Sequence, residues 1–219
     1  MTLNSFQFNT TPGLRFGSGQ AKNTCKEMSE KLGERILFIT DKDLISLGLT
    51  DPTIKELQKN GSVEVFDDVE ADPSQKTLLN AIEIGKKIKA TGVIGFGGGS
   101  SMDVAKLSAL ILGSNENLDE AWGVANAKGP RLPLVLIPTT AGTGSEVTPI
   151  SIITVGEEEK KGVSSSLILP DLAILDPELT LGLPASTTAS TGIDAMVHAI
   201  EGFASSNNNN NPISKMLAI

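Results

Sequence analysis

The residues with the clearest chemical potential lie near the end of the chain, in the segment from Gly192 to Glu201. Asp194 and His198 are four residues apart, so on a helix both side chains project from one face. A carboxylate oxygen and an imidazole nitrogen at this spacing supply half of a metal site. Taken alone, the spacing favours a simple hydrogen bond between the two side chains. His198 is the only histidine in the 219 residues, so any remaining ligands must come from elsewhere.

A run of glycines, Gly97-Gly98-Gly99, precedes Ser100 between an apolar run and a helical pattern. Glycine permits a positive φ and a close approach of a ligand to the backbone. The following helix presents N–H groups and the positive end of its dipole, which together suit a pyrophosphate. The spacing differs from G-x-G-x-x-G, and Lys106 lies too far along for a P-loop lysine. A tight turn of packing glycines is the alternative.

Two further segments follow apolar runs and offer polar contacts to a ligand. Asp41 comes after the run 36–39, where a carboxylate can accept hydrogen bonds from a ribose and would repel a 2′-phosphate. The same residue could instead cap a helix or lie in a loop. The segment from Pro138 to Thr148 concentrates glycine and threonine after a second apolar run. Because ligands of open α/β sheets bind at the carboxyl edge of the strands, we expect this segment to contact a ligand.

The elements that position these residues alternate along the chain. Short apolar runs predict strands at 36–39, 63–66, 93–96 and 134–137. Apolar spacing predicts helices over 20–32 and 100–112, and the pairs Asp51-Pro52 and Asp72-Pro73 predict the starts of helices that run to about 59 and 90. Strands that alternate with helices predict an α/β fold, a doubly wound parallel sheet with right-handed crossovers.

The pattern changes after residue 150 and at both ends of the chain. Strand-like runs at 152–155 and 173–175 are separated by a polar turn predicted at 156–162. Small and apolar residues predict a helix over 185–203, a polar loop follows at 205–211, and Pro212 begins another helix, so we expect more protein to follow. Near the beginning, alternation predicts an edge strand over 5–8 that contains Phe6 and Phe8, with a return strand at 14–16.

Composition excludes several classes of protein. The formal net charge is −8, which disfavours nucleic acid and anionic membrane surfaces as partners. No apolar stretch approaches the ~20 residues that span a bilayer, and the first ten residues lack the pattern of a secretory signal, so we expect a cytoplasmic protein. Cys25 is the only cysteine, so an internal disulfide is impossible, and we expect a structural rather than a reactive thiol.

Taken together, four segments in order resemble the iron-containing (group III) alcohol dehydrogenase family. The matching segments are 97–106, 139–148, 175–180 and 192–201, and the resemblance extends from about Asp41 to the end of the chain. It implies a Rossmann-like nucleotide domain over 1–182, followed by the beginning of an all-helical metal-binding domain over 183–219. Chance agreement across four such segments is a poor explanation, so the resemblance outweighs the alternatives for each segment alone.

The resemblance also implies a reaction and a set of site residues. It implies an NAD(P)-dependent dehydrogenase in which iron or zinc holds the oxygen of a small alcohol or aldehyde while hydride passes to the nicotinamide. Asp194 and His198 match the first two metal ligands of the family. The charge of Asp41 favours NAD over NADP. The residues that match cofactor contacts are Asp41, Gly98, Gly99, Ser100, Thr139, Thr140, Thr143, Thr148, Lys160 and Leu179.

The departure from the family pattern leaves several functions open. Two further histidine ligands belong to the helical domain, and these 219 residues do not supply them, so we expect an incomplete metal site and an inactive chain unless a partner completes it. The alternatives to an alcohol dehydrogenase are a non-catalytic nucleotide-binding fragment and a relative of glycerol dehydrogenase or dehydroquinate synthase. The segments 102–106 and 192–201 favour the alcohol dehydrogenases over the latter. Family members commonly dimerise through the N-terminal region, so we expect a homodimer.

Overall fold

The structure is a computed structural model that describes residues 6, 8–205 and 212–219. Its strands are β1 (Leu14–Phe16), β2 (Arg35–Ile39), β3 (Ser62–Phe66), β4 (Gly92–Gly97), β5 (Gly123–Val124), β6 (Leu134–Pro138), β7 (Ile150–Val155), β8 (Glu159–Ser164) and β9 (Leu172–Leu175). Its α-helices are α1 (Gln20–Asn23), α2 (Cys25–Leu32), α3 (Lys42–Ser46), α4 (Asp51–Leu57), α5 (Gln75–Ile88), α6 (Gly99–Ser114), α7 (Leu118–Ala121), α8 (Ala185–Ala204) and α9 (Pro212–Leu217). Short 3₁₀ turns occur at Ser145–Val147, Ser166–Ile168 and Pro177–Thr180.

The main sheet has six parallel strands in the order β1-β9-β6-β4-β2-β3. From β2 the chain places β3 on one side, and then β4 on the other. The strand order therefore reverses beside β2, which creates a topological switch point between the carboxyl ends of β2 and β4. The predicted doubly wound α/β fold is confirmed.

The core lies on both faces of this sheet, which explains the uninterrupted apolar runs in the sequence. In β2, Leu37 and Ile39 belong to the cluster formed with α5 and α6, whereas Ile36 and Phe38 belong to the cluster formed with α1, α2 and α4. Successive side chains of a strand point to opposite faces, so a strand covered on both sides must be apolar throughout. All residues of β4 and β6 are likewise buried.

The structure differs from the sequence-based predictions mainly in where helices begin. The predicted helix over 20–32 is two helices, α1 and α2, separated at Thr24. Asp51 is the first residue of α4 rather than its N-cap, which is Thr50. Asp72 does not begin α5, because its φ of 54° is left-handed; the helix begins at Gln75, where Ser74 accepts a hydrogen bond from the N–H of Thr77.

A second, smaller sheet replaces most of the predicted polar turn over 156–162. β7 and β8 form an antiparallel hairpin that pairs Ile150 with Ser164 and Val155 with Glu159. The turn is therefore short, and the prediction that 159–162 belong to it is wrong. β5 joins the outer side of β8 in a parallel pair. The N–H of Thr154 donates to the carbonyl of Pro73, which ties the hairpin to the segment before α5.

The two ends of the chain differ from the remaining predictions. Ser5 and Gln7 of the predicted edge strand lie outside the described residues, and Phe6 and Phe8 belong to no strand. β1 is not a return strand, because it pairs in parallel with β9 at one edge of the main sheet. The predicted loop over 205–211 falls outside the described residues except for Ser205. In the part of the chain that the structure describes, no helix is long and apolar enough to cross a membrane.

Candidate functional site

A cleft of about 800 Å³ lies at the carboxyl ends of β2, β4 and β6, and thus at the switch point of the sheet. Its volume is within the usual range for sites that bind small molecules or cofactors, and ligands of open α/β sheets bind at this position. The predicted site residues that line it are Asp41, Gly98, Ser100, Thr139, Thr140 and Leu179. The structure therefore brings together residues from four separate segments of the chain.

The glycine loop gives the cleft a floor of exposed backbone. Gly97 has a φ of 150°, and a Cβ there would stand 2.7 Å from the Oγ of Ser101, so this position requires glycine. Gly98 has an ordinary φ of −74°, and a Cβ there would meet only Thr140, at 3.9 Å. Gly98 precedes α6 without a side chain to cap it, so the first N–H groups of this helix remain available to an anion.

Asp41 lines the same cleft, after the strand β2 that pairs with β4, and it also has a structural role. Its Oδ1 accepts a hydrogen bond of 2.9 Å from the N–H of Leu44, so it caps α3 as well as lining the cleft. Burial raises the pKa of the Asp41 carboxyl, and the N–H of Leu44 opposes that shift. Sequence reasoning missed the neighbouring carboxylates Asp68 and Glu70, which line the same end of the cleft. Their position directly after β3 was the signal that could have identified them.

Four of the predicted cofactor residues do not line the cleft. A Cβ at Gly99 would stand 3.1 Å from the Cγ2 of Thr143, so these two residues pack against each other. Thr148 lies 3.5 Å from the Nζ of Lys106. Lys160 points to the hairpin side, where its Nζ contacts Asp72 at 2.6 Å and the hydroxyl of Thr154 at 2.9 Å.

The most deeply buried charged group is one that the sequence analysis considered only as a P-loop lysine. Lys106 of α6 has no exposed surface, and it contacts Ser145 and Ile150, beside the predicted ligand-binding segment 138–148. Its neighbour Asp103 contacts the same turn. The signal available in the sequence was a pair of opposite charges three residues apart in an otherwise uncharged helix.

Asp194 and His198 lie on one face of α8, as predicted, with Oδ1 and Nε2 3.6 Å apart. Both side chains are open to solvent, with 41% of the Asp194 side chain and 57% of the His198 side chain exposed. An oxygen and a nitrogen donor suit divalent iron or zinc. Among the described residues, however, no group of three His, Cys, Asp or Glu side chains could hold a metal ion.

Cys25 lies far from this chemistry. The thiol is buried in the core against α4, and its Sγ lies 3.4 Å from the carbonyl of Ala21 and 3.6 Å from that of Thr53. Burial raises the pKa of Cys25 to about 12, so the reactive thiolate is scarce near neutral pH. These features agree with a packing role in the core.

The sheet order, the glycine loop and the cleft define a Rossmann-like α/β fold, which α8 and α9 follow in the chain. Residues 11–177 match the family model described as iron-containing alcohol dehydrogenase, and the chain belongs to this family. It is 40% identical over 212 residues to long-chain-alcohol dehydrogenase 1 of Geobacillus thermodenitrificans, a match that covers 95% of this chain and 53% of the relative. It is 36% identical over 202 residues to sulfoacetaldehyde reductase of Bilophila wadsworthia, covering 91% of this chain and 52% of the relative.

Solved structures give the same result. The structure of sulfoacetaldehyde reductase from Bifidobacterium kashiwanohense in complex with NAD+ superimposes with a TM-score of 0.88 at 34% identity, covering 98% of this chain and 57% of the other. The chain thus spans about half the length of the curated relatives it matches. The family and the α/β fold expected from the sequence are confirmed.

Proposed function

We propose that this chain forms the dinucleotide-binding portion, 1–182, and the first part of the metal-binding portion, 183–219, of an NAD-dependent and metal-dependent alcohol dehydrogenase. The observation that carries the proposal is the uncapped N-terminus of α6 behind Gly98, which opens into a cleft at the switch point. A pyrophosphate there accepts hydrogen bonds from backbone N–H groups and lies at the positive end of a 16-residue helix.

The rest of the cleft suits the two ends of a dinucleotide. Asp41 accepts hydrogen bonds from the hydroxyls of a ribose on one side of the phosphate loop. Thr139 and Thr140 follow β6 on the other side, towards α8, where the nicotinamide must lie if it is to meet a substrate near Asp194 and His198. A related sulfoacetaldehyde reductase of the same fold has been crystallised with NAD+, which supports this choice of cofactor.

In this proposal Asp194 and His198 provide two of the ligands of divalent iron or zinc. When bound, such an ion supplies Lewis-acid polarisation of an alcohol or aldehyde oxygen. The chain's own residues would hold the dinucleotide and orient its nicotinamide towards the substrate, and the bound cofactor would supply hydride chemistry. The substrate class, an alcohol or aldehyde, is supported by the family and by relatives named long-chain-alcohol dehydrogenase 1 and sulfoacetaldehyde reductase.

A second candidate function is a nucleotide-binding protein without catalytic activity. It is favoured by the absence, among the described residues, of a third side chain that could join Asp194 and His198 around a metal ion. Both candidates require dinucleotide binding at the same cleft. They differ in whether the protein also binds a metal ion and catalyses a reaction.

The proposal is tested by titrating NAD into the wild type and Gly98→Val, with calorimetry as the measurement. A Cβ at residue 98 would meet only Thr140, at an ordinary van der Waals distance of 3.9 Å, so the variant should fold while its valine occupies the position proposed for the pyrophosphate. We expect NAD affinity to fall by at least about 100-fold, since the steric overlap also removes contacts to several backbone N–H groups.

Gly202→Val is the control, because a Cβ at Gly202 of α8 meets nothing within 4 Å and lies away from the glycine loop. It should bind NAD as the wild type does. Melting temperatures are measured alongside. A folded Gly98→Val variant with wild-type affinity, or a wild type that does not bind NAD, would overturn the proposed dinucleotide site.

A further inference from the structure

Lys106 is a completely buried lysine in the middle of α6. Its Nζ donates hydrogen bonds of 2.7 Å to the Oγ of Ser145 and 2.6 Å to the carbonyl of Ile150, and it lies 3.5 Å from the hydroxyl of Thr148. A buried ammonium destabilises a protein unless its hydrogen-bond donors are satisfied and an opposite charge is close. The sequence therefore places an ammonium group that is unfavourable to bury at a position where an apolar side chain would pack.

Asp103 supplies the opposite charge and contacts the same residues. Its Oδ1 lies 3.6 Å from the Nζ of Lys106 and accepts a hydrogen bond of 2.8 Å from the hydroxyl of Ser145. Its Oδ2 accepts a hydrogen bond of 2.9 Å from the N–H of Ile152 in β7. The Ser145 hydroxyl thus accepts from Lys106 and donates to Asp103, so α6 holds this one side chain from two directions.

The contacts of Ser145 continue to the start of α6, next to the residues Gly98 and Ser100 that line the cleft. Its N–H donates to the hydroxyl of Thr143 at 3.2 Å, and Thr143 packs against Gly99 at the start of α6. The adjacent Gly142 lies so close to α8 that a Cβ there would stand 2.7 Å from the Cβ of Thr191, three residues before Asp194. The turn over 142–148 therefore lies between the phosphate loop and the helix that carries Asp194.

We propose that Lys106 and Asp103 are positioning residues, which hold the turn over 142–148 in the shape that receives the nicotinamide half of the dinucleotide. The inference rests on the proposed function, in which the dinucleotide runs from the phosphate loop towards α8. Neither Lys106 nor Asp103 lines the cleft, so both act through Ser145 and Thr143 rather than by touching the ligand. Preorganisation of the turn removes an ordering cost that the cofactor would otherwise meet on binding.

The test compares NAD with ADP, because ADP contains the adenosine and the diphosphate but lacks the nicotinamide half. In Lys106→Met, a variant of similar length without the charge, we expect NAD affinity to fall about tenfold while ADP affinity changes by less than about twofold. Ser145→Ala should give the same pattern. The double variant should lose no more NAD affinity than either single variant, because all three variants interrupt the same chain of contacts.

Ser108→Ala is the matched control. Ser108 is buried on the same helix, and its hydroxyl has no hydrogen-bond partner among the residues described. Its removal should leave the affinity of both ligands unchanged. Melting temperatures of all variants show whether a loss of affinity comes from unfolding or from a changed conformation of the turn in a folded protein. If Lys106→Met does not fold, Ser145→Ala, which retains the buried ion pair, tests the same contacts.

The pH profile provides a readout that a purely structural lysine would not change. Burial lowers the pKa of Lys106 to about 8, and the charged groups that face its ammonium are Asp103 and Glu146. Burial raises the pKa of both of these carboxyls, and the charge of Lys106 opposes that shift. Wild-type NAD affinity should therefore fall as pH rises through about 8, while ADP affinity and the NAD affinity of Lys106→Met stay level across the same interval.

The possible results separate this inference from the proposed function. If the wild type binds NAD and folded Lys106→Met and Ser145→Ala bind it equally well, the positioning role is wrong while the proposed site stands. If NAD and ADP weaken in parallel, Lys106 supports the whole cleft and the inference is also wrong. If the wild type binds neither ligand, the proposed function itself fails, and the inference falls with it.

Discussion

The carboxylate of Asp41 both caps a helix and lines the cleft. Its hydrogen bond to the N–H of Leu44 caps α3, and the same side chain lines the cleft beside the phosphate loop. The two explanations that the sequence left open, a helix cap and a ribose ligand, are therefore compatible. A substitution that removes the acceptor altogether would disturb α3 as well as recognition, so a test of cofactor choice must keep the cap.

Asp41→Asn keeps an N-cap acceptor and removes the negative charge. Because the carboxylate would repel the 2′-phosphate of NADP, we expect the ratio of NADP to NAD affinity to rise about tenfold in this variant. Titration calorimetry with both cofactors measures the ratio. The matched control is Asp51→Asn, which removes an exposed carboxylate paired with Lys55 on α4, away from the cleft. An unchanged ratio in a folded Asp41→Asn variant would remove Asp41 from the cofactor site.

At the same scale, local sequence was sufficient to predict that some residues line the cleft and insufficient for others. The glycines and Asp41 were identifiable because each directly follows an apolar run, and the ends of neighbouring parallel strands meet at one edge. The role of Lys106 was not identifiable, because its partner Ser145 is 39 residues away and the contact exists only after α6 has packed against the turn. Whether Thr143, Thr148 and Lys160 contact a cofactor stays a prediction.

At the scale of the elements, strands were predictable from the sequence where helices bury both faces of the sheet. β2, β4 and β6 have near-continuous apolar runs because helices cover both faces of the sheet. β8 was missed because it is a short, largely exposed strand that begins with Glu159, Lys160 and Lys161, a composition typical of a turn. It is a strand because β7 offers it a complete antiparallel ladder. Tertiary pairing overrides local propensity here.

β1 is the element best placed to join two copies of the chain. It pairs with β9 on one side only, and Leu14 and Phe16 are 47% and 72% exposed. An exposed apolar edge strand is prone to pair with another chain. We therefore propose that the homodimer predicted through the N-terminal region forms through β1.

Phe16→Lys should shift the mass measured by light scattering from twice the chain mass towards that of the monomer, because lysine on an edge strand opposes pairing. Val124→Lys is the matched control, since Val124 is 76% exposed at the edge of the smaller sheet. It should leave the dimer intact. A dimer that persists in Phe16→Lys, or that dissociates only in Val124→Lys, would place the interface away from β1.

At the scale of the whole molecule, the cleft and the pair Asp194 and His198 differ in how much of the protein packs around them. The cleft is enclosed by the ends of strands whose residues are buried, and its glycine loop is fixed by close packing. α8, by contrast, has no buried residue, and Ile193, Met196 and Ile200 are each more than 60% exposed. In this chain, which spans about half the length of its curated relatives, nothing described packs around Asp194 and His198 to hold their rotamers or exclude water.

We therefore expect the chain to bind the cofactor without binding the metal ion stably. The 219-residue chain should bind NAD, but it should retain well below one Fe²⁺ or Zn²⁺ per chain after dialysis, because two exposed donors fall short of the roughly three protein ligands of a stable catalytic site. It should also form no NADH above background with ethanol or 1,2-propanediol. Metal analysis and NADH absorbance measure the two quantities, and His198→Ala shows whether any retained metal occupies this pair. Stoichiometric metal that His198→Ala abolishes, together with turnover, would show that a subunit interface or unexpected ligands complete the site, since the two donors on α8 alone do not enclose a cation.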